Sequence, residues 1–112
     1  MNKIERRLRR KRGIRKKIYG TKDRPRVTVF KSNKHIYAQA IDDDRGHTLA
    51  YVFDKMIGVK KNKDGAFKVG EKLAAILKEK NIESAVFDRN GYPYHGLVKS
   101  IAEGLRKGGI KV

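Results

Sequence analysis

The sequence predicts a mixed α/β fold: a three-stranded antiparallel meander, a helix, a parallel strand and a second helix, preceded by a basic N-terminal arm. Three observations lead to this prediction. Strand-length runs of alternating or β-branched residues come first, two segments with apolar residues at helical spacing come later, and a dense run of lysine and arginine precedes them all. The 112 residues suffice for one compact domain. We therefore expect the arm at residues 1–24 and a single globular domain at residues 25–112.

The arm is defined by its charge. Residues 1–26 hold 13 lysines and arginines against two acids, in a chain whose formal net charge is +17. Its few apolar residues cannot bury a core, so we expect it to be mobile, or at most a frayed helix, until a partner orders it. Ile4 and Leu8 could share one helical face, but Gly13 and Gly20 are expected to interrupt it.

Three predicted strands form the meander. They lie at residues 27–30, 35–41 and 48–53, and turn-forming residues separate them at 32–34 and 43–46. The second strand alternates, with one apolar and one mixed face: Ile36, Ala38 and Ala40 against Tyr37 and Gln39.

The hydrophobic period then changes to that of helices. Two helical faces are predicted, one from Val69, Leu73, Ile76 and Leu77, the other from Val98, Ile101, Ala102 and Leu105. Asp64 could cap the first helix, Asn81 could take the left-handed conformation after it, and Gly108 and Gly109 stop the second. Residues 85–87 read as a strand covered on both faces and parallel to a neighbour. Both helices are expected to cover one face of the sheet.

Composition limits the function. The excess of cations predicts a polyanionic partner. The absence of cysteine excludes disulfides and thiolate zinc sites, and no apolar run reaches the length of a membrane span. No signal-peptide pattern opens the chain, so a soluble cytoplasmic protein is the expectation.

The arm is the strongest candidate for contact with nucleic acid. Its closely spaced cations repel one another unless phosphates neutralise them, and arginine can grip a phosphate with two hydrogen bonds. The alternative is a solvated tail or a localisation signal. The nine candidates are Arg6, Arg7, Arg9, Arg10, Lys11, Arg12, Arg15, Lys16 and Lys17.

Two further segments could bind RNA. In the predicted hairpin, cations surround a polar turn: Arg24, Arg26, Lys31, Ser32, Asn33, Lys34 and His35. An ordinary polar turn explains that pattern equally well. The loop between the last strand and last helix offers cations and rings that could stack on bases: Arg89, Asn90, Tyr92, Tyr94 and His95. We expect at least one of its tyrosines simply to pack on the core.

Two long blocks carry a family resemblance. RPRVTVFKSNKHIYAQAIDD and VFDRNGYPYHGLVKSIAEGLRKGG, with the basic stretch RLRRKRGIRKKIYGT, resemble the bacterial large-subunit ribosomal proteins numbered eighteen, the L-eighteen family. The resemblance spans nearly the whole chain. It implies a non-enzymatic protein of the large ribosomal subunit that has no cofactor. Its implied partners are 5S rRNA, 23S rRNA and neighbouring 5S-associated proteins of the central protuberance.

The resemblance also implies which residues face RNA. To the arm, hairpin and loop candidates it adds Tyr37, Gln39, Gly96 and Lys99, while Asn90 is not among the residues it marks. Leu97 departs from the family, which usually has a basic residue there, so it is not expected to contact phosphate. Residues 51–59 are more apolar than is usual in the family, and could extend the core or contact a neighbour.

Two rival functions stay open at this point. The order of elements is also that of ribonuclease H, a metal-dependent nuclease, for which the candidate acids are Asp42, Asp43, Asp44, Glu71 and Asp88. The first strand, however, carries no carboxylate, and Asp43 and Asp44 fit a turn better than a metal cluster. The other rival is an arm that binds anionic membranes, but the arm has few apolar residues to insert.

Overall fold

The fold is known from a computed structural model that describes the backbone of residues 3–15 and 18–112, and the side chains of residues 3–9 and 18–112. The elements follow the predicted order and confirm the mixed α/β class. They are α1 (Lys3–Arg15), β1 (Arg26–Lys31), β2 (Ile36–Asp42), β3 (His47–Phe53), a 3-10 turn (Asp54–Ile57), α2 (Lys63–Glu79), β4 (Val86–Asp88) and α3 (Gly96–Lys107).

The four strands form one mixed sheet in the order β3-β2-β1-β4. β1, β2 and β3 pair antiparallel as the predicted meander, and β4 lies parallel to β1. The alternation predicted for β2 is confirmed, because Ile36, Ala38 and Ala40 are buried while Tyr37 and Gln39 are partly exposed. One face of the sheet therefore supplies the core, and the other face stays open.

The core lies between the first face of the sheet and the two long helices, α2 and α3. Leu73 and Leu77 of α2 and Ile101 and Leu105 of α3 are fully buried in one cluster with the inward residues of the strands. The two helices approach closely, since a Cβ added at Gly104 would lie 2.1 Å from the backbone oxygen of Phe67. Both predicted helical faces are confirmed.

Two expectations about helices need correction. α1 continues through Gly13, which was expected to interrupt it. A single internal glycine costs only about 1 kcal/mol relative to alanine, and the surrounding arginines and lysines favour helix. The cap of α2 is Asn62, whose Oδ1 accepts a hydrogen bond from the Gly65 amide at 2.7 Å. Asp64 instead lies within the first turn, whereas Asn81 has the expected left-handed conformation, with φ of 62°.

The prediction for β4 was wrong in one respect. Val86 and Phe87 are only partly buried, because β4 is an edge strand with β1 as its single strand neighbour. The apolar stretch at residues 51–59 divides in two. Val52 is fully buried in the core, while Tyr51 and Met56 are about half exposed. Among the described residues, no helix has both the length and the apolar character needed to cross a membrane.

Candidate nucleic-acid interface

The turn between β1 and β2 is braced on both sides. The amide of Ser32 donates to the backbone oxygen of His35 at 2.9 Å, and the His35 amide donates back to Ser32 Oγ at 3.0 Å. Lys61 Nζ donates to the backbone oxygen of Ser32 at 2.8 Å, and His35 Nδ1 lies 3.0 Å from a carboxylate oxygen of the buried Asp54. These contacts hold the backbone of the turn in place, and Lys34 is exposed on it.

Arg26 does not lie on the exposed surface of the hairpin. Its guanidinium donates to both carboxylate oxygens of Asp43, at 2.9 and 3.0 Å, and to Asp88 Oδ2 at 2.8 Å. The hydrogen bond to Asp43 is the main reason why the pKa of Arg26 is raised above its usual value, although burial opposes the shift. Because three of its donors bind carboxylates inside the protein, Arg26 ties β1 to the β2–β3 turn and to β4.

The same turn holds the end of the arm. The Gly20 amide donates to Asp43 Oδ2 at 2.8 Å, and the Asp43 amide donates to the Gly20 oxygen at 2.9 Å. A Cβ at Gly20 would lie 2.2 Å from the Arg26 amide nitrogen, so only glycine fits this close approach. Tyr19 donates its hydroxyl proton to Asp44 Oδ1 at 2.7 Å, and this hydrogen bond raises the pKa of the phenol.

α1 is fastened to the loop after β4 through Tyr92. The Arg7 guanidinium carbon lies 4.2 Å from the centroid of the Tyr92 ring, and Arg7 Nε donates to the backbone oxygen of Asn90 at 3.2 Å. Lys31 Nζ lies 4.9 Å from the same ring, and the Lys31 amide donates to the Tyr92 hydroxyl at 3.2 Å. Tyr92 also packs against the core, as was expected of one of the two loop tyrosines. With cations over its ring, it connects the arm to β1.

Tyr94 is the more accessible of the two loop tyrosines. It is 39% exposed, and its ring meets the ring of Phe87 edge-on at 6.1 Å. Its hydroxyl accepts a hydrogen bond from Arg106 Nη1 at 3.0 Å, which fixes the direction of the ring. An oriented and partly exposed ring of this kind offers a surface on which an unpaired base can stack.

The residues around the start of α3 differ in accessibility. His95 is exposed immediately before α3, whose first residue, Gly96, has φ of 58°. Lys99 is exposed on α3, with Nζ 3.9 Å from Glu103 Oε1, a separation at which an exposed pair contributes little to stability. Leu97 packs against the core. Arg89 is partly buried after β4.

An aromatic strip lies on the open face of the sheet. It consists of Phe30, Tyr37, Tyr51 and Phe53, and the rings of Tyr37 and Phe53 stack with centroids 5.1 Å apart. Phe30 and Tyr51 are about half exposed, and Gln39 stands between β1 and β3 on this face. Only Tyr37 and Gln39 were predicted as site residues. The other rings could have been found from sequence by pairing β1 and β3 with the alternating β2.

The remaining candidates are placed less completely. Arg6, Arg9, Arg24, Asn33 and Lys34 have exposed side chains. Arg10, Lys11, Arg12 and Arg15 belong to α1, but their side chains lie outside those described. Lys16 and Lys17 lie outside the described residues altogether.

Of the carboxylates considered for a nuclease, Asp42, Asp43 and Asp88 have structural partners. Asp43 and Asp88 both bind Arg26, so a cation occupies the position between them. Asp42 accepts a hydrogen bond from the amide of Asp44 at 3.0 Å, as a turn residue does. Across residues 3–15 and 18–112, no three acidic, histidine or cysteine side chains come close enough together to hold a metal ion.

Comparisons with known proteins agree on one family. The family model described as ribosomal L18 of archaea, bacteria, mitochondria and chloroplast matches residues 1–112. The large ribosomal subunit protein uL18 of Nitratiruptor sp. is 61% identical over 105 residues, which cover 94% of this chain and 89% of that protein. The proteins of the same name from Campylobacter lari and Borreliella burgdorferi are 56% and 53% identical, over 98% and 96% of this chain and 93% of each relative.

Proposed function

Since the chain belongs to the ribosomal L18 family and is a structural protein of the large ribosomal subunit, we propose that it binds 5S rRNA and helps attach it to 23S rRNA. The attachment takes place in the central protuberance, beside other proteins that bind 5S rRNA, in ribosomes of the cytoplasm. Its role there is to hold RNA in place and not to cleave it.

The observation that carries the proposal is the position of α1. This helix, on which Arg6 and Arg9 are exposed, is fastened by Arg7 and Tyr92 beside the loop of Tyr94 and His95. A cationic helix next to accessible rings suits a folded RNA, whose phosphates meet the helix while unpaired bases meet the rings. The net charge of +17 would attract such a partner over long distances.

The proposed RNA-binding surface follows from accessibility. Arg26 and Tyr92 hold its parts together, whereas the contacts come from the arm, the braced turn, the loop and the open face. The proposed contacts are Arg6, Arg7, Arg9, Arg10, Lys11, Arg12, Arg15, Lys16, Lys17, Arg24, Lys31, Ser32, Asn33, Lys34, His35, Tyr37, Gln39, Arg89, Tyr94, His95, Gly96 and Lys99.

A binding assay with matched variants tests the proposal. The full chain is titrated with 5S rRNA and, separately, with tRNA over a series of salt concentrations. Each phosphate neutralised should contribute roughly −0.7 to −0.9 to the slope of log affinity against log salt. The double variant Arg6→Gln/Arg9→Gln should flatten this slope. The control Lys78→Gln/Lys80→Gln removes the same charge at the far end of α2 and should leave the slope nearly unchanged.

Two results would contradict the proposal. One is equal affinity for 5S rRNA and tRNA, which would mean that the protein binds RNA by charge alone and does not recognise 5S rRNA. The other is an equal flattening by both double variants, which would mean that only the total charge matters and not the position of α1.

A further inference from the structure

Two residues that line a groove on the open face of the sheet carry buried oxygens with no hydrogen-bond partner among the described residues. The groove lies between the central strands and the loop after β4, and its lining includes Thr28, Phe30, Tyr37, Gln39 and Asn90. Thr28 and Asn90 are only 6% and 7% exposed. Within the described part of the chain, neither Thr28 Oγ1 nor Asn90 Oδ1 is hydrogen-bonded. We call this feature the β1 groove.

The Asn90 side chain is held with its oxygen as an acceptor. Its Nδ2 donates to the backbone oxygen of Val29 at 2.9 Å, so the amide cannot turn over without losing that bond. Its backbone amide donates to Asp88 Oδ1 at 2.8 Å, and its φ of 55° lies in the left-handed region that asparagine tolerates. Its backbone oxygen accepts from Arg7. The residue is thus fixed by three hydrogen bonds, and Oδ1 is left to meet a ligand.

Unpaired buried oxygens on two residues of one groove indicate a ligand that donates hydrogen bonds to them. Most buried polar atoms in proteins are hydrogen-bonded, and leaving one without a partner is costly. An amide oxygen can only accept, and a threonine hydroxyl can accept as well. A group with two protons on one nitrogen could serve both.

The surroundings of the groove limit which chemical groups could act as the hydrogen-bond donor. Arg7 and Lys31 lie over the ring of Tyr92, and Arg7 is bonded to Asn90 of the groove, so a further cation such as a lysine of a partner protein is disfavoured. Phe30 and Tyr37 line the groove with rings 5.9 Å apart that can stack on a flat ligand. A neutral, planar donor attached to a polyanion fits both conditions.

We propose that the β1 groove binds the exocyclic amino group of an unpaired adenine, cytosine or guanine in the bound RNA. Thr28 Oγ1 and Asn90 Oδ1 accept the two amino protons, while Phe30 or Tyr37 stacks on the ring. Uracil has no amino group and is selected against. The inference rests on the proposed function, since the rRNA supplies the base, and it adds two recognition residues to the surface.

Thr28→Val gives the main test because the proposal predicts effects of opposite sign. Valine keeps the shape and removes only a hydroxyl that has no partner, so the free protein should be as stable as the wild type, or more stable. Affinity for 5S rRNA should nevertheless fall roughly 3- to 10-fold, the loss expected for one hydrogen bond. The control Thr48→Val makes the same change at an exposed position on β3 outside the groove and should leave affinity unchanged.

Nucleotide titrations provide a second measurement on the isotope-labelled full chain. Adenosine 5′-monophosphate should shift the side-chain amide resonances of Asn90 in the NMR spectrum. Purine riboside 5′-monophosphate, which lacks only the amino group, and uridine 5′-monophosphate should shift them much less. Equal shifts by all three would overturn the assignment of the amino group.

The results separate this inference from the proposed function. If the wild type prefers 5S rRNA to tRNA but Thr28→Val binds 5S rRNA equally well, the groove proposal fails alone. A loss of stability in Thr28→Val would overturn it too, because it would mean that Oγ1 has a partner in the free protein. If the wild type shows no preference for 5S rRNA, the proposed function fails, and an amino-dependent shift of Asn90 would still support the groove.

Discussion

Replacing Arg26 by alanine should lower the free energy of unfolding by about 3–5 kcal/mol, the usual result of breaking a buried ion pair. The guanidinium makes three hydrogen bonds to two carboxylates, each worth roughly 1.5–3 kcal/mol when the groups are charged. The full sum is not expected, because Asp43 is 19% exposed and can regain water. Asp88 is fully buried, so the loss of its ion pair with Arg26 supplies most of the decrease.

Urea unfolding followed by circular dichroism measures this loss. Arg24→Ala is the matched control, because it removes the same group from an exposed position two residues earlier and should change stability by no more than about 0.5 kcal/mol. Arg26→Lys should fall between the two, since one ammonium cannot reproduce a fork that reaches both Asp43 and Asp88. A loss below about 1 kcal/mol for Arg26→Ala would refute the reasoning.

Three further outcomes are expected. Removing residues 1–17 should leave the domain folded by circular dichroism, but weaken 5S rRNA binding and flatten its salt dependence; a truncated chain that unfolds would make the arm part of the core. Tyr94→Ala should reduce affinity for 5S rRNA more than affinity for tRNA in parallel titrations, and equal losses would argue against stacking. Leu73→Ala should cost about 2–5 kcal/mol in thermal or urea unfolding because Leu73 is fully buried, whereas exposed Lys72→Ala should cost little.

The fold could be predicted where the periodicity of side chains is regular. Burial alternates along β2 without exception. The four apolar residues that defined each helix lie on the side packed into the core. The predictions that failed concern features that depend on how neighbouring elements are arranged. β4 is apolar enough to be an interior strand, but strand order places it at the edge. Asn62 and Asp64 are both good caps, and sequence alone does not decide which one precedes the first turn.

The site was harder to predict because burial of polar groups depends on distant residues. Arg26 reads as one more cation of a basic hairpin, yet its partners lie 17 and 62 residues further along the chain. Thr28 looks like an ordinary strand residue within a β-branched run, and only the tertiary structure shows that its hydroxyl is buried and unpaired and that the residue lines the same groove as Asn90. Tyr92 and Tyr94 share one loop, but only tertiary contacts show that Tyr92 fastens α1 while the ring of Tyr94 stays accessible.

The hydrogen bonds between Gly20 and Asp43 have a geometric consequence for assembly. They hold the end of the arm on the domain, while the contacts of Arg7 with Tyr92 and Asn90 hold α1 beside the loop after β4, so that seating the domain also places the helix. The 13 residues of α1 span about 20 Å as a helix. Phosphates along that length meet the helix at a high effective concentration, whereas those beyond it are out of reach. α1 thus behaves as a cationic helix of set length whose position follows from the docking of the domain.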